Sequence, residues 1–339
     1  GDNNVAVGRE ALKNNTTGHS NVAIGYQAGY NVTTALRSQF IGYGAGGSVT
    51  TAQYNTIMGY QAGHTLTTTG NNVLIGRSAG REMSKDYCTF VGINAGSGTT
   101  TGINNTYIGA SAAKNSSTGY YNVVVGNNAG NYLSGSTEYT AIGYYAGSYV
   151  SGNYNTFGGA FSGYGDGTQT TNSAHSNAAW GWSTLRTVTS GDRNAALGYN
   201  AGRNVTTGDN NTFVGKDAGL ANTSGGGNVF LGYLAGSDAT ATDSNKLFIA
   251  NAAGTPLIGG DFSAGTVNIA GTLDASGLIT PAAGVNIAGG DFTTINMIMG
   301  GQTVTDIKIS SDSASTSDSD LVTAGYVNAH AGGGSTSPG

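Results

Sequence analysis

Cysteine and proline are almost absent from this sequence. Cys88 is the single cysteine among 339 residues, and there are three prolines. One cysteine excludes an intramolecular disulfide framework and a cysteine-rich metal site. The scarcity of proline excludes a collagen-like helix in spite of the 59 glycines, which do not recur at every third position. These residue counts predict neither a metal site nor a cofactor.

Charge and long apolar runs are scarce as well. Charged residues make up 9% of the chain and form no basic cluster, so nucleic acid is not a predicted partner. No run approaches the roughly 18 consecutive apolar residues of a membrane-spanning helix, so membrane insertion is not predicted either. Apolar residues make up only 38%. An isolated monomer would therefore bury little area per residue, and we expect burial between chains.

A repeat of 17 residues organises most of the chain. Marker glycines define fourteen units, and ten of the thirteen intervals between them are 17 residues, two are 16 and one is 22. A fixed period of this kind is typical of a solenoid in which every unit forms one coil. At about 4.8 Å per stacked strand, fourteen coils would form a rod about 60 to 65 Å long. The marker glycines are Gly8, Gly25, Gly42, Gly59, Gly76, Gly92, Gly109, Gly126, Gly143, Gly159, Gly181, Gly198, Gly215 and Gly232.

Asparagine stands four residues before the marker glycine in eleven of the fourteen units. Stacked coils would align these side chains into a ladder whose amides hydrogen-bond along the stacking direction. Ser38, Cys88 and Tyr139 take the same position in the other units, so we predict a structural role for Cys88. The predicted ladder includes Asn21, Asn55, Asn72, Asn105, Asn122, Asn211 and Asn228, with Asn4, Asn155, Asn177 and Asn194 at equivalent positions.

Three residues rich in β-branched and aromatic types separate the asparagine from the marker glycine. Thr106, Tyr107 and Ile108 are one example, and they predict a short strand in every unit. Alternation places the first and third residues on one face and the middle residue on the other, yet both faces are apolar. A thin roll has only one interior, so we expect the second apolar face to pack against identical chains.

The run NVAIGYQAG, from Asn21 to Gly29, joins the strand to the marker glycine and to a second glycine. Glycine at these positions permits positive φ and close approach of one coil to the next. The run resembles the head repeats of YadA-like trimeric autotransporter adhesins and the related β-roll repeats of bacteriophage tail fibres. The resemblance covers residues 1 to about 245. It implies an all-β fold in which each chain forms a left-handed parallel β-roll and three chains form a homotrimer around a common axis.

The sequence changes character after the repeats and predicts three regions. Residues 1–243 form the β-roll, and residues 244–309 form a small β-structured fibre segment in which GGDF recurs at Gly259 and Gly289. Residues 310–339 form a polar linker, a short helix and a flexible tail. We therefore expect smaller β-elements to follow the roll.

Two segments near the end resemble segments of phage tail proteins, one beginning at Asn245 and the other spanning Asp320 to His330. This resemblance implies a tail fibre shaft in the virion that presents or contributes to host-receptor binding. Its partners would be a bacterial surface glycan or protein receptor and other virion tail proteins. The alternative is the head domain or filament of a bacterial trimeric surface adhesin, outside the cell or on its surface.

We predict no enzymatic activity for either role. The run GRSAG around Ser78 has the outline of a hydrolase nucleophile elbow. Equivalent units carry Gln27, Asn94 or Asp217 in place of Ser78, so the repeat explains the run as a turn. The acidic residues are dispersed across turns, unlike the paired carboxylates of glycosidases.

The 22-residue interval between Gly159 and Gly181 departs most from the repeat. Aromatic faces stack on sugar rings, polar side chains bind sugar hydroxyls, and surface insertions on a rigid scaffold often carry function. The alternative is a longer turn that covers the roll with both tryptophans packed inside, since Trp180 takes an apolar strand position. The predicted glycan-contact residues are Phe161, Tyr164, Asp166, His175 and Trp182.

Overall fold

The computed structural model describes residues 1–168 and 172–272, which form short β-strands joined by turns. Each of the first fourteen strands ends directly before a marker glycine. None of the described residues forms a helix that is long and apolar enough to cross a membrane. The strands are β1 (Val5–Val7), β2 (Val22–Ile24), β3 (Gln39–Ile41), β4 (Thr56–Met58), β5 (Val73–Ile75), β6 (Thr89–Val91), β7 (Thr106–Ile108), β8 (Val123–Val125), β9 (Thr140–Ile142), β10 (Thr156–Gly158), β11 (Ala178–Trp180), β12 (Ala195–Leu197), β13 (Thr212–Val214), β14 (Val229–Leu231), β15 (Lys246–Ile249), β16 (Ile258–Asp261) and β17 (Thr266–Ile269).

Strands β1 to β15 stack in parallel, each paired with the strand of the next unit. Equivalent residues lie opposite one another, as Ala23 and Phe40 do. The turns stack as well, because their backbone N–H groups donate to carbonyls of the neighbouring coil, for example from Gly29 to Ala45 at 3.0 Å. The predicted all-β fold is confirmed as a parallel β-solenoid with about fourteen coils, one per repeat.

The interior of the solenoid is lined by the middle residue of each strand from β2 to β14. Phe40, Ile57 and Phe90 are fully buried there, and Phe90 stacks on Tyr107 of the next coil with ring centroids 4.6 Å apart. The turns add small buried residues such as Ala28. Because successive strand residues point to opposite faces, the first and third residues of each strand point outward. The middle position is therefore the core face, and the other apolar face lies on the surface.

The glycines allow neighbouring coils and core rings to approach closely. Gly109 has a φ of +131°, and a Cβ added to it would stand 2.5 Å from the carbonyl oxygen of Gly126 in the next coil. The second glycine of a unit faces a different obstacle. A Cβ on Gly46, whose φ is +57°, would overlap Cδ1 of the buried Phe40 ring. Both positions combine a left-handed backbone with a lack of space, so only glycine fits without strain.

The last described strands change the pattern of pairing. β15 pairs in parallel with β14 and so continues the stack past residue 243. β15 then pairs antiparallel with β16, and β16 with β17. The first GGDF run, which begins at Gly259, contributes to β16. The second GGDF run at Gly289, the segment from Asp320, and the linker, helix and tail predicted for residues 310–339 lie outside the described residues.

Candidate functional site

Outward side chains on the strands form an apolar stripe along the solenoid. We call it the aliphatic row, and it consists of the residue directly before each marker glycine. The position carries valine, isoleucine, leucine, methionine or tryptophan in every coil except one. Ile108 in this row is 40% exposed and Leu197 is 56% exposed. The row comprises Val7, Ile24, Ile41, Met58, Ile75, Val91, Ile108, Val125, Ile142, Gly158, Trp180, Leu197, Val214 and Leu231.

The exception in the aliphatic row is Gly158, which lies beside the largest member, Trp180. The two residues face each other on the paired strands β10 and β11. A Cβ on Gly158 would overlap Cε3 of the indole, so the ring lies over the glycine. Trp180 remains 48% exposed. The missing side chain at position 158 therefore makes room for a tryptophan in the row.

The asparagine row is buried and links successive coils mainly through their backbones. In a typical rung, Asn122 Oδ1 accepts a hydrogen bond from the backbone N–H of Tyr139 at 2.9 Å, and Asn122 Nδ2 donates to the Ser136 carbonyl at 2.9 Å. Amide-to-amide hydrogen bonds also occur, for example from Asn194 to Asn177 at 3.1 Å. Each asparagine thus satisfies backbone groups that stacking would otherwise bury unpaired. The buried members include Asn21, Asn55, Asn72, Asn105, Asn122, Asn211 and Asn228.

Cys88 and Tyr139 occupy rungs of the same row. The backbone N–H of Cys88 donates to Asn72 Oδ1 at 2.9 Å, and Cys88 Sγ lies 3.5 Å from the carbonyl oxygen of Gly102. Burial raises the pKa of the Cys88 thiol to about 11, so the reactive thiolate is suppressed. The hydroxyl of Tyr139 donates to the Gly147 carbonyl at 3.0 Å inside the roll.

Three of the five predicted glycan-contact residues lie together on the turn that follows the strands. The ring centroid of Phe161 is 5.8 Å from that of Tyr164 and 6.4 Å from that of Trp182. Trp182 in turn stacks on Tyr199 with centroids 4.7 Å apart and ring planes 11° apart. The rings belong to successive coils. We define the aromatic patch as Tyr144, Tyr145, Phe161, Tyr164, Trp182 and Tyr199.

The aromatic patch is open to solvent. Trp182 is 40% exposed, and Tyr144 and Tyr199 are comparably exposed. With Trp180 exposed on the aliphatic row, neither tryptophan packs inside the roll. The alternative predicted that both tryptophans pack inside the roll, and that part of it is wrong; a longer turn that covers the roll stays a prediction. The core of this coil is filled instead by the fully buried Phe157.

Arg186 is absent from the predicted site, yet it borders the aromatic patch. Its guanidinium carbon lies 5.3 Å from the ring centroid of Phe161 and 5.8 Å from that of Tyr164. Among the described residues, Arg186 forms no ion pair with a carboxylate. Counting from the marker glycine could have found it, because Tyr164 and Arg186 take the same turn position in adjacent coils.

Asp166 forms its hydrogen bonds within the insertion and not with the aromatic patch. Its Oδ1 accepts hydrogen bonds from the backbone N–H of Thr168 at 2.7 Å, from Thr168 Oγ1 at 2.6 Å and from Asn172 Nδ2 at 2.8 Å. Burial acts to raise the pKa of the Asp166 carboxyl, but the hydrogen bonds from Thr168 and Asn172 outweigh it, and the pKa lies below its ordinary value. Asp166 therefore fixes the loop as a carboxylate.

His175 lies on the turn before the strand, in a second row of hydrogen bonds between coils. Its Nδ1 accepts from the backbone N–H of Asn153 at 2.9 Å, and its own N–H donates to Asp192 Oδ1 at 2.7 Å. Asp192 repeats the arrangement with Asp209 at 2.7 Å. The structure thus gives His175 a role in coil stacking, and the strand separates it from the aromatic patch.

Neither protein-family models, curated proteins nor solved structures provide a match to this chain. The aliphatic row offers apolar contact along the roll. The aromatic patch offers partly exposed rings beside one guanidinium without an ion-pair partner among the described residues.

The motifs that resemble catalytic sites are explained by the turns. Ser78 has a φ of +56°, as its equivalents Asn94 (+57°) and Asp217 (+56°) do. Its backbone N–H donates to the Tyr60 carbonyl of the preceding coil at 2.9 Å. The described part of the chain contains no group of three His, Cys, Asp or Glu residues that could hold a metal ion. Ser78 is thus one of a series of left-handed turn residues.

Proposed function

We propose that this chain is a segment of a homotrimeric fibre, the shaft of a bacteriophage tail fibre that presents or contributes to a receptor-binding surface. The observation that carries the proposal is the aliphatic row, an apolar stripe along the solenoid that is interrupted only at Gly158 and is at least partly exposed in the other coils. Scattered surface apolar residues need no explanation, but a contiguous stripe marks an interaction surface. Identical chains are the partners that match a stripe of the same length and spacing.

The aliphatic row is large enough to drive assembly. Covering a side chain that is about half exposed gains roughly 1 kcal/mol. Seven of the thirteen apolar members are 38–56% exposed, so in three chains these seven supply roughly 20 kcal/mol as an upper bound. Joining three chains takes two association steps, each of which costs about 4–15 kcal/mol. The row therefore offsets a large part of the association cost, and the partly buried members of the row would add to it.

The number of chains and the place in a virion rest on resemblance. The repeats resemble YadA-like β-rolls, which are trimeric, and the segments after the roll resemble those of phage tail proteins. A fibre of this kind works mechanically, and we assign it no reaction. The alternative, the head of a bacterial trimeric surface adhesin, shares the trimer. Neighbouring virion genes would favour the tail fibre, whereas an export signal and a membrane anchor in the full gene would favour the adhesin.

Light scattering of the purified chain tests the assembly. We expect a mass of three times 33.8 kDa. Ile108→Asp places a charge on the aliphatic row and should shift the chain towards monomer. Tyr121→Asp is the matched control, because Tyr121 is 58% exposed on a turn and has a φ of +59°, which aspartate tolerates. A monomeric wild-type chain, or equal masses for the two variants, would contradict the proposal.

A further inference from the structure

The aromatic patch has the dimensions of a binding platform for a short oligosaccharide. Its rings come from four successive coils, represented by Tyr144, Phe161, Trp182 and Tyr199. With about 4.8 Å between coils, the platform extends about 14 Å along the roll. It stands on a scaffold whose coils are joined by backbone hydrogen bonds in strands and turns. A ligand would thus meet aromatic rings that are already held in place.

Trp182 is fixed by its neighbours but accessible from solvent. Tyr199 stacks on the indole in nearly parallel orientation, and Phe161 meets it at an interplanar angle of 79°. The indole is still 40% exposed. Rigid aromatic side chains lose little conformational entropy on binding, which is why they recur as anchors in binding sites. Tyr199 covers one face of the indole, and the part of the ring that stays exposed is apolar surface that suits the apolar face of a pyranose.

Arg186 determines which class of sugar fits best. Its guanidinium lies against the rings of Phe161 and Tyr164, and no carboxylate of the described residues neutralises it. Asp166, the acidic residue of the adjacent insertion, has Oδ1 occupied by three donors. A planar guanidinium favours two parallel hydrogen bonds to a carboxylate. The charge that complements the patch is therefore negative.

We propose that the aromatic patch binds an acidic glycan, with a sugar ring against the exposed part of the Trp182 indole and a sugar carboxylate paired with Arg186. The inference rests on the adhesive role proposed above and gives its receptor a chemical class, a glycan built with uronic or sialic acids. Trp180 and Trp182, the two tryptophans of the chain, separate the two proposals. One lies on the aliphatic row and the other on the patch.

Fluorescence of single-tryptophan variants of the full chain provides the test. Trp180→Phe leaves Trp182 as the only indole, and Trp182→Phe leaves Trp180. The probes are trigalacturonate and 3′-sialyllactose, with the methyl ester of trigalacturonate and lactose as neutral partners. We expect the acidic probes to change the emission of Trp182 and not that of Trp180. Arg186→Gln should weaken binding about tenfold or more, and Arg186→Lys less, because one charge-assisted pair is lost or weakened.

The mass of the same sample is measured as well, so that the fibre proposal and the glycan inference can fail independently. A trimer whose Trp182 responds to neither acidic probe overturns the glycan inference and leaves the fibre proposal standing. A monomer whose Trp182 responds to the acidic probes overturns the fibre proposal and leaves the glycan inference standing. Equal responses to acidic and neutral partners, or no effect of Arg186→Gln, overturn the assignment to acidic sugars. If acrylamide does not quench Trp182 fluorescence in the trimer, the aromatic patch is an interface between chains, and the glycan inference is overturned.

Discussion

Replacing the marker glycine Gly109 with alanine tests whether close contact between coils fixes the repeat. Gly109 has a φ of +131°, and the new Cβ would stand 2.5 Å from the carbonyl oxygen of Gly126. Gly135 is the matched control. Its φ is +74°, and its Cβ would meet nothing nearer than Thr118 Oγ1 at 3.5 Å, an ordinary contact. Both variants place alanine in a left-handed backbone, but only the first collides with the next coil.

The two variants should differ by the cost of that collision. An alanine held in a sparsely populated backbone region costs about 1–3 kcal/mol, which is the whole effect expected for Gly135→Ala. Overpacking adds about 1–3 kcal/mol, so Gly109→Ala should lose about 2–6 kcal/mol. For domains of roughly this size, 1 kcal/mol corresponds to about 2–4 °C in Tm. Gly109→Ala should therefore melt roughly 4 to 24 °C below the wild type.

Circular dichroism melts of both variants, under identical conditions, measure the difference. Because a repeat array does not unfold in one step, hydrogen exchange should locate the damage. Protection should fall first in β7 and β8, on either side of the collision. If the two variants lose equal stability, backbone conformation alone explains the marker glycines, and the reasoning from coil spacing is refuted.

Three further predictions concern single side chains. Asn122→Ala leaves the buried Tyr139 N–H and Ser136 carbonyl without a hydrogen-bond partner, and it should lower the free energy of unfolding by about 2–6 kcal/mol. Asn14→Ala, which removes one member of an exposed amide pair, should lower it by less than about 0.5 kcal/mol. The midpoints of guanidinium unfolding compare the two variants. The hydrogen bond from Lys246 lowers the pKa of Asp261, so the pair's contribution should be complete above the unfolded carboxyl pKa of about 3.9 and fall only in stronger acid. If the β16 amides already lose their protection from hydrogen exchange between pH 7 and pH 5, this prediction is contradicted. Asp261→Asn should lower that protection throughout the same pH range. Burial raises the pKa of the Cys88 thiol to about 11, so Cys88 should react with iodoacetamide at pH 8 only in denaturant. Rapid labelling of the folded chain would show that the thiol is accessible to solvent.

The repeat period was enough to predict the strands, the coils and the buried asparagine row. A residue's place relative to the marker glycine decides its neighbours, because equivalent residues stack directly. Which apolar face is the core could not be predicted, since Tyr107 in the middle position and Ile108 beside it are equally suited to burial. The structure decides between them by placing Tyr107 inside.

The turn conformations and the second row of hydrogen bonds were also beyond prediction. Tyr54 and Arg193 adopt φ values of +57° and +55°, although side chains of their size disfavour the left-handed region. Stacking imposes this conformation on every coil and overrides the local preference. The row that contains His175 and Asp192 changes residue type from coil to coil, so no pattern of letters marks it. Only the backbone N–H that each side chain meets reveals the shared role.

Departures from the repeat are concentrated in the neighbouring coils around Gly159 and Gly181, and this concentration supports a role for them beyond scaffolding. Gly158 replaces an aliphatic residue, and Trp180 lies over it. The core alanine of other coils becomes Ser162, whose hydroxyl bonds to that of Thr184 at 2.7 Å. The same coils carry the insertion and the centre of the aromatic patch. Residues that obey the repeat are sufficient to build a coil, as the other units show. Trp180 and the rings of the aromatic patch break the repeat on the surface while the strand pairing stays intact, which agrees with the glycan proposal. Ser162 and Thr184 are fully buried and change the core of the same coils.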